Sequence, residues 1–342
     1  MFKDKFVTVY PTYGYRRGDE DKTWKIPLRV WVHKQRRTPI PDDLIRFLLD
    51  DEGTLKESEV LRCRECIVDF VADDDSGEEV SFKFDTDDEP QHFSEETNHN
   101  GLVEQVFELS DEKAQKLLAA QQSTSGWLRL TVEVEDFQGV GKVRLLEPEG
   151  LSVVSDIDDT IKISEIPAGR RITLRNAFLR DYVVAPEMLD RYRRFGDVSF
   201  HYVSGSPWQL FGLLHAFLIE KTGFPEGTFH MKSLRKNLLD LPGFLRDAKE
   251  FIGGRKYTKE QKIEQISELM SRLRKRRFIL IGDSGELDPE VFSAIKRLFH
   301  EQVEKIIIRD VVEAKINAPH RLVDVDEVIE SPLITHGQSQ FD

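Results

Sequence analysis

The sequence is poor in cysteine, with two in 342 residues, and it contains no uncharged apolar run near the ~18–20 residues that cross a bilayer. Two cysteines exclude a disulfide-stapled scaffold. Cys63 and Cys66 form a lone C-x-x-C with no second pair to complete a zinc site. A thioredoxin-like motif opens a helix, whereas Cys63-Arg-Glu-Cys66 leads into a strand-like Ile-Val-Asp-Phe, so ordinary thiols are expected. The charged start, Met1-Phe-Lys-Asp-Lys5, lacks the apolar stretch of a secretory signal, and a soluble, cytoplasmic protein is expected. Hydrophobic residues are not scarce: at 39%, with 22 Phe, they suffice for sizeable cores and exclude wholesale disorder.

Chain length favours two domains over one. The net charge of −13 supports the division, because it is carried by one part alone. Residues 1–150 hold 20 basic and 33 acidic side chains, whereas residues 151–342 hold 29 of each. Segments so different in charge suggest domains with different tasks.

Residues 1–145 read as an acidic β-sandwich. Strand-like runs fall at Phe6–Tyr10, Trp24–Val32, Cys66–Val71, Val80–Phe84, Leu102–Leu109 and Leu128–Val134, separated by polar turn material. Pro27 within Trp24–Val32 suits an edge strand. A helix is expected over Asp111–Gln121, capped by Ser110. The acidic stretch from Asp73 to Glu96 lacks the spacing of a calcium loop and reads as solvated.

From residue 146 to about 315 the pattern changes to apolar strands alternating with helix-length segments. Strands are expected at Leu151–Ser155, Val198–Ser204, Phe229–Leu234, Phe278–Ile281 and Val303–Ile308. Helices are expected within Pro186–Phe195, Pro207–Lys221, Thr258–Arg274 and Pro289–Phe299. Such alternation implies a parallel sheet with helices on both faces, and ligands bind beyond the carboxyl ends of its strands. Residues 316–342 read as a C-terminal extension.

Three strand ends carry chemistry. Leu151-Ser-Val-Val-Ser-Asp-Ile-Asp-Asp-Thr160 ends in three carboxylates and a hydroxyl, and burying Asp156 and Asp158 there without a cation is costly. Phe200-His-Tyr-Val-Ser-Gly-Ser-Pro-Trp208 places Ser204, Gly205 and Ser206 before a helix, either as a phosphate seat or as plain caps. Phe278-Ile-Leu-Ile-Gly-Asp283 ends beside Gly282, which implies close backbone approach. Asp288 precedes Pro289 and suits a helix start. Hard oxygen donors of this kind select Mg²⁺, and carboxylates also serve as phosphoryl acceptors. Lys262, four residues before the apolar Ile266, is the favoured lysine of the site over Lys232, Lys249, Lys256 and Lys259.

The order Asp156-x-Asp158-x-Thr160, Ser204, a lysine, then Gly282-Asp283-x-x-x-x-Asp288 resembles the haloacid dehalogenase superfamily of phosphotransferases. Within it, Ser155–Lys162, Ser204–Trp208 and Gly282–Glu290 resemble the catalytic domain of actin-patch phosphatidate phosphatases, over about residues 143–312. The resemblance implies a Rossmann-like domain in which Asp156 is the nucleophile and Asp158 the general acid and base. It further implies that Thr160 braces their turn, Ser204 holds a phosphoryl oxygen and Lys262 neutralises charge. Mg²⁺ is then held by Asp156, the Asp158 backbone carbonyl and Asp283. Asp288 is either a further metal-shell residue or the helix cap.

Only 43 residues separate Thr160 from Ser204, and 27 separate Leu234 from Lys262, so neither gap easily houses a full cap domain. An open, capless or minimally capped site suits a large substrate. Leu238–Ile252 and the basic Arg170, Arg171, Arg175 and Arg180 are compatible with peripheral membrane contact, and equally with core packing and a solvated basic face. The leading expectation is a Mg²⁺-dependent lipid phosphatase acting on phosphatidate. The alternatives are a phosphatase of protein, nucleotide or soluble metabolite esters, and a non-catalytic adaptor. No nucleic-acid partner is expected, because Arg272–Arg277 suits a helix end. The acidic domain's own partner is unknown, and by charge it is basic or apolar.

Overall fold

Alternation of apolar and polar residues organises the first part of the chain, and near-continuous apolar strands organise the second. The computed structural model describes residues 5–18, 21–34, 45, 55–69, 72–233 and 255–330. The first part contains β1 (Lys5–Val9), β2 (Thr12–Tyr15), β3 (Thr23–Lys34), α1 (Glu57–Cys66), β4 (Asp73–Asp74), β5 (Ser81–Phe84) and β6 (Gln91–His92). It continues with β7 (Leu102–Ser110), α2 (Asp111–Ala120), β8 (Trp127–Val134) and β9 (Phe137–Leu146). These strands form one nine-stranded sheet, antiparallel except where β2 runs alongside β9. Every second residue of β8, Leu128, Leu130, Val132 and Val134, is buried, as period-2 patterning requires. Phe82 of β5 and Phe107 of β7 lie five pairings apart along the sheet, a distance of ~24 Å if it were flat. Their rings are 4.7 Å apart, so the sheet folds back around a single apolar core.

Two local expectations are corrected. The segment Cys66–Val71 is no strand in its described residues: Glu57–Cys66 is helical and residues 67–69 form a turn. Val60, Cys63 and Ile67 turn inward, and burial pushes the Cys63 thiol up to about 12, the state of a packed, unreactive cysteine. β3 is an interior strand, pairing with β7 on one side and with β1 and β2 on the other. Pro27 is tolerated because it falls between the stretches where β1 and β2 pair, so no ladder bond is lost there. The expected helix over Asp111–Gln121 is α2, with Lys113 N–H donating to Ser110 Oγ at 3.2 Å.

The second part runs β10 (Gly150–Asp156), α3 (Arg170–Phe178), α4 (Met188–Arg193), β11 (Ser199–Pro207), α5 (Phe211–His215, continued by a wider π turn to Lys221) and β12 (Gly227–Lys232). Then follow α6 (Arg255–Arg272), β13 (Arg276–Asp283), α7 (Asp288–Leu298), β14 (Val303–Asp310), α8 (Ala314–Asn317) and β15 (Glu327–Glu330). All six strands are parallel, ordered β12-β11-β10-β13-β14-β15. β15 lies inside the expected C-terminal extension, yet it completes the sheet through Ile307–Asp310.

Both faces of this sheet are covered. Val153, Ile279, Ile281 and Ile307 pack with Leu174 and Phe178 of α3 and Leu214 of α5. Val154, Leu280, Ile306 and Ile308 pack with Ile266, Leu269 and Met270 of α6 and with Val291, Phe292 and Ile295 of α7. Strand order reverses at β10, with β11 on one side and β13 on the other, and ligand crevices open at such points. Between Thr160 and the start of β11 the chain forms α3, α4 and a 3-10 turn, with the buried apolar residues of both helices in the sheet's own core. The first part joins this body through shared cores, with Tyr10 and Trp31 in one and Tyr13 and Leu146 in the other. Arg276 staples the junction by donating to the carbonyls of Glu147, Glu149 and Leu151 at 2.7–2.9 Å.

Candidate active site

β10 ends at Asp156, and the chain turns at once through Asp159, whose φ of 57° lies in the left-handed region that Asp tolerates. The Asp159 carboxylate braces this turn, accepting the N–H groups of Ser164, Glu165 and Ile166 at 2.7–2.8 Å. Arg309 of β14 donates to the Asp159 carbonyl at 2.6 Å. Thr160, expected to supply that bracing, has a buried hydroxyl without a partner among the described residues. Asp159 takes over because its two oxygens can gather three amides at once.

The turn presents two carboxylates in different surroundings. Asp158 Oδ1 accepts from Ser164 Oγ at 2.6 Å and pairs with Lys162 Nζ at 2.8 Å, while Oδ2 faces Ser206 Oγ at 3.1 Å and Ser204 Oγ at 3.3 Å. Burial alone raises this carboxyl, yet Lys162 and the hydroxyls outweigh it and hold Asp158 down to about 2. Ser204 and Ser206 are therefore not helix caps: they flank Asp158, and Ser204 Oγ also accepts Ser206 N–H at 2.9 Å. Gly205 lies between them because a side chain there would drive a Cβ to 2.7 Å from the Thr258 methyl.

Asp156 faces the other way, toward α6 and the β13 end. Lys262 Nζ donates to Asp156 Oδ1 at 2.7 Å and Asp288 Oδ1 at 2.6 Å, with Glu286 Oε2 at 3.4 Å. Burial opposes a charged lysine, but these three carboxylates hold the Lys262 proton well above the usual range. Burial pushes the Asp156 carboxyl well above its usual range; Lys262 pulls against this, and Asp288, Glu286 and Asp158 add to it. Asp283 is raised likewise, first by burial and then by Asp288 and Asp156. Its Oδ1 accepts the N–H groups of Gly285 and Glu286 at 2.6 and 3.0 Å.

The second oxygens carry the chemical message. Asp156 Oδ2 and Asp283 Oδ2 are both buried with no partner among the described residues, and Asp156, Asp283 and Glu286 each present an oxygen within 4.8 Å of the others. Converging hard donors left unpaired in a buried place fit a divalent cation such as Mg²⁺. Asp288 stands apart from this trio. Its carboxylate is engaged by Lys262 and the Asp283 N–H, and it occupies the first residue of α7, with Leu287 in the cap position. Close approach at Gly282 has the expected reason, since a Cβ there would collide with Asp288.

The structure thus brings Asp156, Asp158, Ser204, Ser206, Lys262, Asp283 and Asp288 together at the strand ends. Of the rival lysines, Lys232 ends β12 and Lys259 points half-exposed from α6, whereas Lys249 and the side chain of Lys256 lie outside the described residues, as does all of Leu238–Ile252. Arg175 and Arg180 are engaged internally, by Glu59 and by Asn176 with Glu165, so two members of the basic cluster face inward partners. Sequence reasoning missed Glu286, Lys162, Ser164 and Arg321. Arg321 fastens the Glu286 loop by donating to the Ser284 and Glu286 carbonyls while pairing with Glu290. Lys162, at i+4 from Asp158, was detectable by spacing, whereas Glu286 and Arg321 are recruited by folding.

Fold and site define an α/β domain with a buried, carboxylate-rich centre at the ends of its parallel strands. Residues 151–310 match the family described as "Phosphatidate phosphatase APP1, catalytic domain". Phosphatidate phosphatase APP1 of Saccharomyces cerevisiae is 30% identical over 194 residues, 54% of this chain and 31% of the yeast protein. An uncharacterized protein of Schizosaccharomyces pombe is 27% identical over 180 residues, 51% of this chain and 27% of that protein. The chain thus spans about a third of the length of these curated relatives. Among the described residues no helix is long and apolar enough to cross a membrane.

Proposed function

We propose that the protein hydrolyses phosphatidate to diacylglycerol and inorganic phosphate, through an aspartyl-phosphate on Asp156 in a domain of the haloacid dehalogenase type. The observation that carries this reading is the pair of unpartnered buried oxygens, Asp156 Oδ2 and Asp283 Oδ2, within a region that matches a phosphatidate phosphatase catalytic domain. Asp156 Oδ2 attacks phosphorus while the bond to the lipid oxygen breaks. Asp158, held in place by Lys162 at 2.8 Å, takes the proton of the monoanionic phosphomonoester and passes it to the leaving oxygen. Ionised again, Asp158 removes a proton from water as that water displaces Asp156 from phosphorus. Ser204, Gly205 and Ser206 seat the non-bridging oxygens, and Lys262 keeps Asp156 oriented. Asp156, Asp283 and Glu286 hold Mg²⁺, which supplies charge neutralisation for the nucleophile and the phosphoryl oxygens.

Phosphate release from phosphatidate in mixed micelles, beside a soluble aryl phosphate, with Mg²⁺ or EDTA, tests the reading. Turnover of phosphatidate that EDTA abolishes is expected. Turnover of the soluble ester alone would shift the substrate to a soluble phosphomonoester, and EDTA-resistant activity would remove the cation.

Asp283→Asn separates the metal from the fold. Asn keeps an acceptor for the Gly285 and Glu286 amides and deletes one buried negative charge. The metal-free protein is expected to melt about 2–5 °C higher, while the rise in melting temperature produced by Mg²⁺ in the wild type disappears. A retained Mg²⁺ shift would place the cation elsewhere.

A further inference from the structure

A narrow cavity of about 50 Å³ opens beside Asp158. Its polar lining includes Asp158, Lys162 and Ser206, together with Thr258 and Glu286. Its far wall is apolar, built from Ala177 of α3, Tyr182, and Leu210 and Leu214 around α5. The wall is held rigidly: Leu210 and Leu214 are 4% and 1% exposed, and Lys162 Nζ sits 4.8 Å above the Tyr182 ring, which stacks edge-on against Phe217. A slot joined to the acid–base carboxylate, with carbon along part of its lining, receives the part of the substrate directly attached to the scissile oxygen.

We propose that this slot selects esters by the shape of the carbon bonded to the phosphate oxygen, admitting a primary methylene and rejecting a branched carbon there. The inference rests on the phosphatase reading and narrows its substrate class to phosphomonoesters of primary alcohols. The slot has about a third of the volume of a cavity that takes benzene, so it holds a few atoms only. Branching one carbon further out falls beyond Asp158 and Ser206, toward the opening, and is tolerated. A glycerolipid phosphate meets this rule, since its ester carbon is a methylene and its branch lies on the next carbon.

The full chain with Mg²⁺ is assayed on n-propyl, isobutyl, isopropyl and tert-butyl phosphate. Isobutyl phosphate is expected within about threefold of n-propyl in kcat/KM, and isopropyl and tert-butyl lower by about tenfold or more. Leu214→Ala enlarges the slot and is expected to raise the isopropyl-to-propyl ratio severalfold; Ala177→Val narrows it and is expected to lower that ratio. Melting curves establish that each variant is folded, and the wild-type series together with Ala177→Val decides the matter if Leu214→Ala does not fold. Equal rates on n-propyl and isopropyl phosphate, or ratios that neither folded variant moves, overturn the slot while leaving a phosphatase. No Asp156-dependent turnover of any ester, phosphatidate included, overturns both.

Discussion

Asp156→Asn is expected to lower kcat for phosphate release by about 10⁴-fold or more while leaving the fold intact. Asn is nearly isosteric and keeps an oxygen for Lys262, whose Nζ lies 2.7 Å from Asp156 Oδ1. It cannot form the acyl phosphate, and no neighbour substitutes: Asp288 is engaged by Lys262 and the Asp283 amide, and Asp158 by Lys162 and three serines. The thermal stability of the variant should equal or exceed that of the wild type, since one raised, buried carboxyl is gone. Steady-state phosphate release, acid-quench trapping of a phosphorylated chain and a melting curve check the three parts. A folded variant retaining a tenth of the wild-type rate would exclude Asp156 as nucleophile.

Lys262→Met carries the largest expected cost in stability. Met preserves the apolar stem between Ile263 and Ile266 but removes the cation facing Asp156, Asp288 and Glu286, all in a buried place. Breaking such a buried arrangement costs about 3–5 kcal/mol, or roughly 6–15 °C in melting temperature for a domain of this size. The pH dependence has a definite sign. Lys262 is raised in the folded state, so its contribution is complete below its ordinary value of 10.5 and is lost only as pH rises through the higher folded value. Asp156, Asp283 and Glu286 are also raised, so protonation stabilises the folded state as pH falls toward their ordinary values of 3.8 and 4.5. The deficit of Lys262→Met should therefore be largest at pH 7–9 and shrink by pH 5. Urea unfolding across that range measures it, and a deficit independent of pH would point to lost packing instead of lost charge.

The same residues show why parts of the site were legible. Val153-Val-Ser-Asp156 and Ile279-Leu-Ile-Gly-Asp283 are apolar runs with an acid at the carboxyl end, a local signature of strands buried on both faces that stop at a crevice. Lys262 was readable because Ile266, one turn on, is fully buried at 1% exposure, so the face they share turns inward. Glu286 was not readable. It lies in a polar loop between Asp283 and Asp288, held at the centre by its amide on Asp283, by Lys262 and by the clamp from Arg321, 35 residues downstream. The helix over Glu57–Cys66 escaped notice because its apolar residues continue into Ile67-Val-Asp-Phe70, which has the composition of a strand.

By itself, then, the sequence determined five of the six strands of the parallel sheet, the acids at the ends of two of them and the confinement of net charge to the first 150 residues. Each of these follows from short-range periodicity or from counting. The tertiary structure alone decided that Asp288 serves Lys262 and Asp283, that Asp159 braces the turn expected of Thr160, and that β3 is interior. It alone decided that the segment beyond residue 316 completes the sheet and secures the active-site loop. Those outcomes depend on which groups meet once the chain has folded, where a hydrogen bond or a buried charge is settled by its neighbours in space.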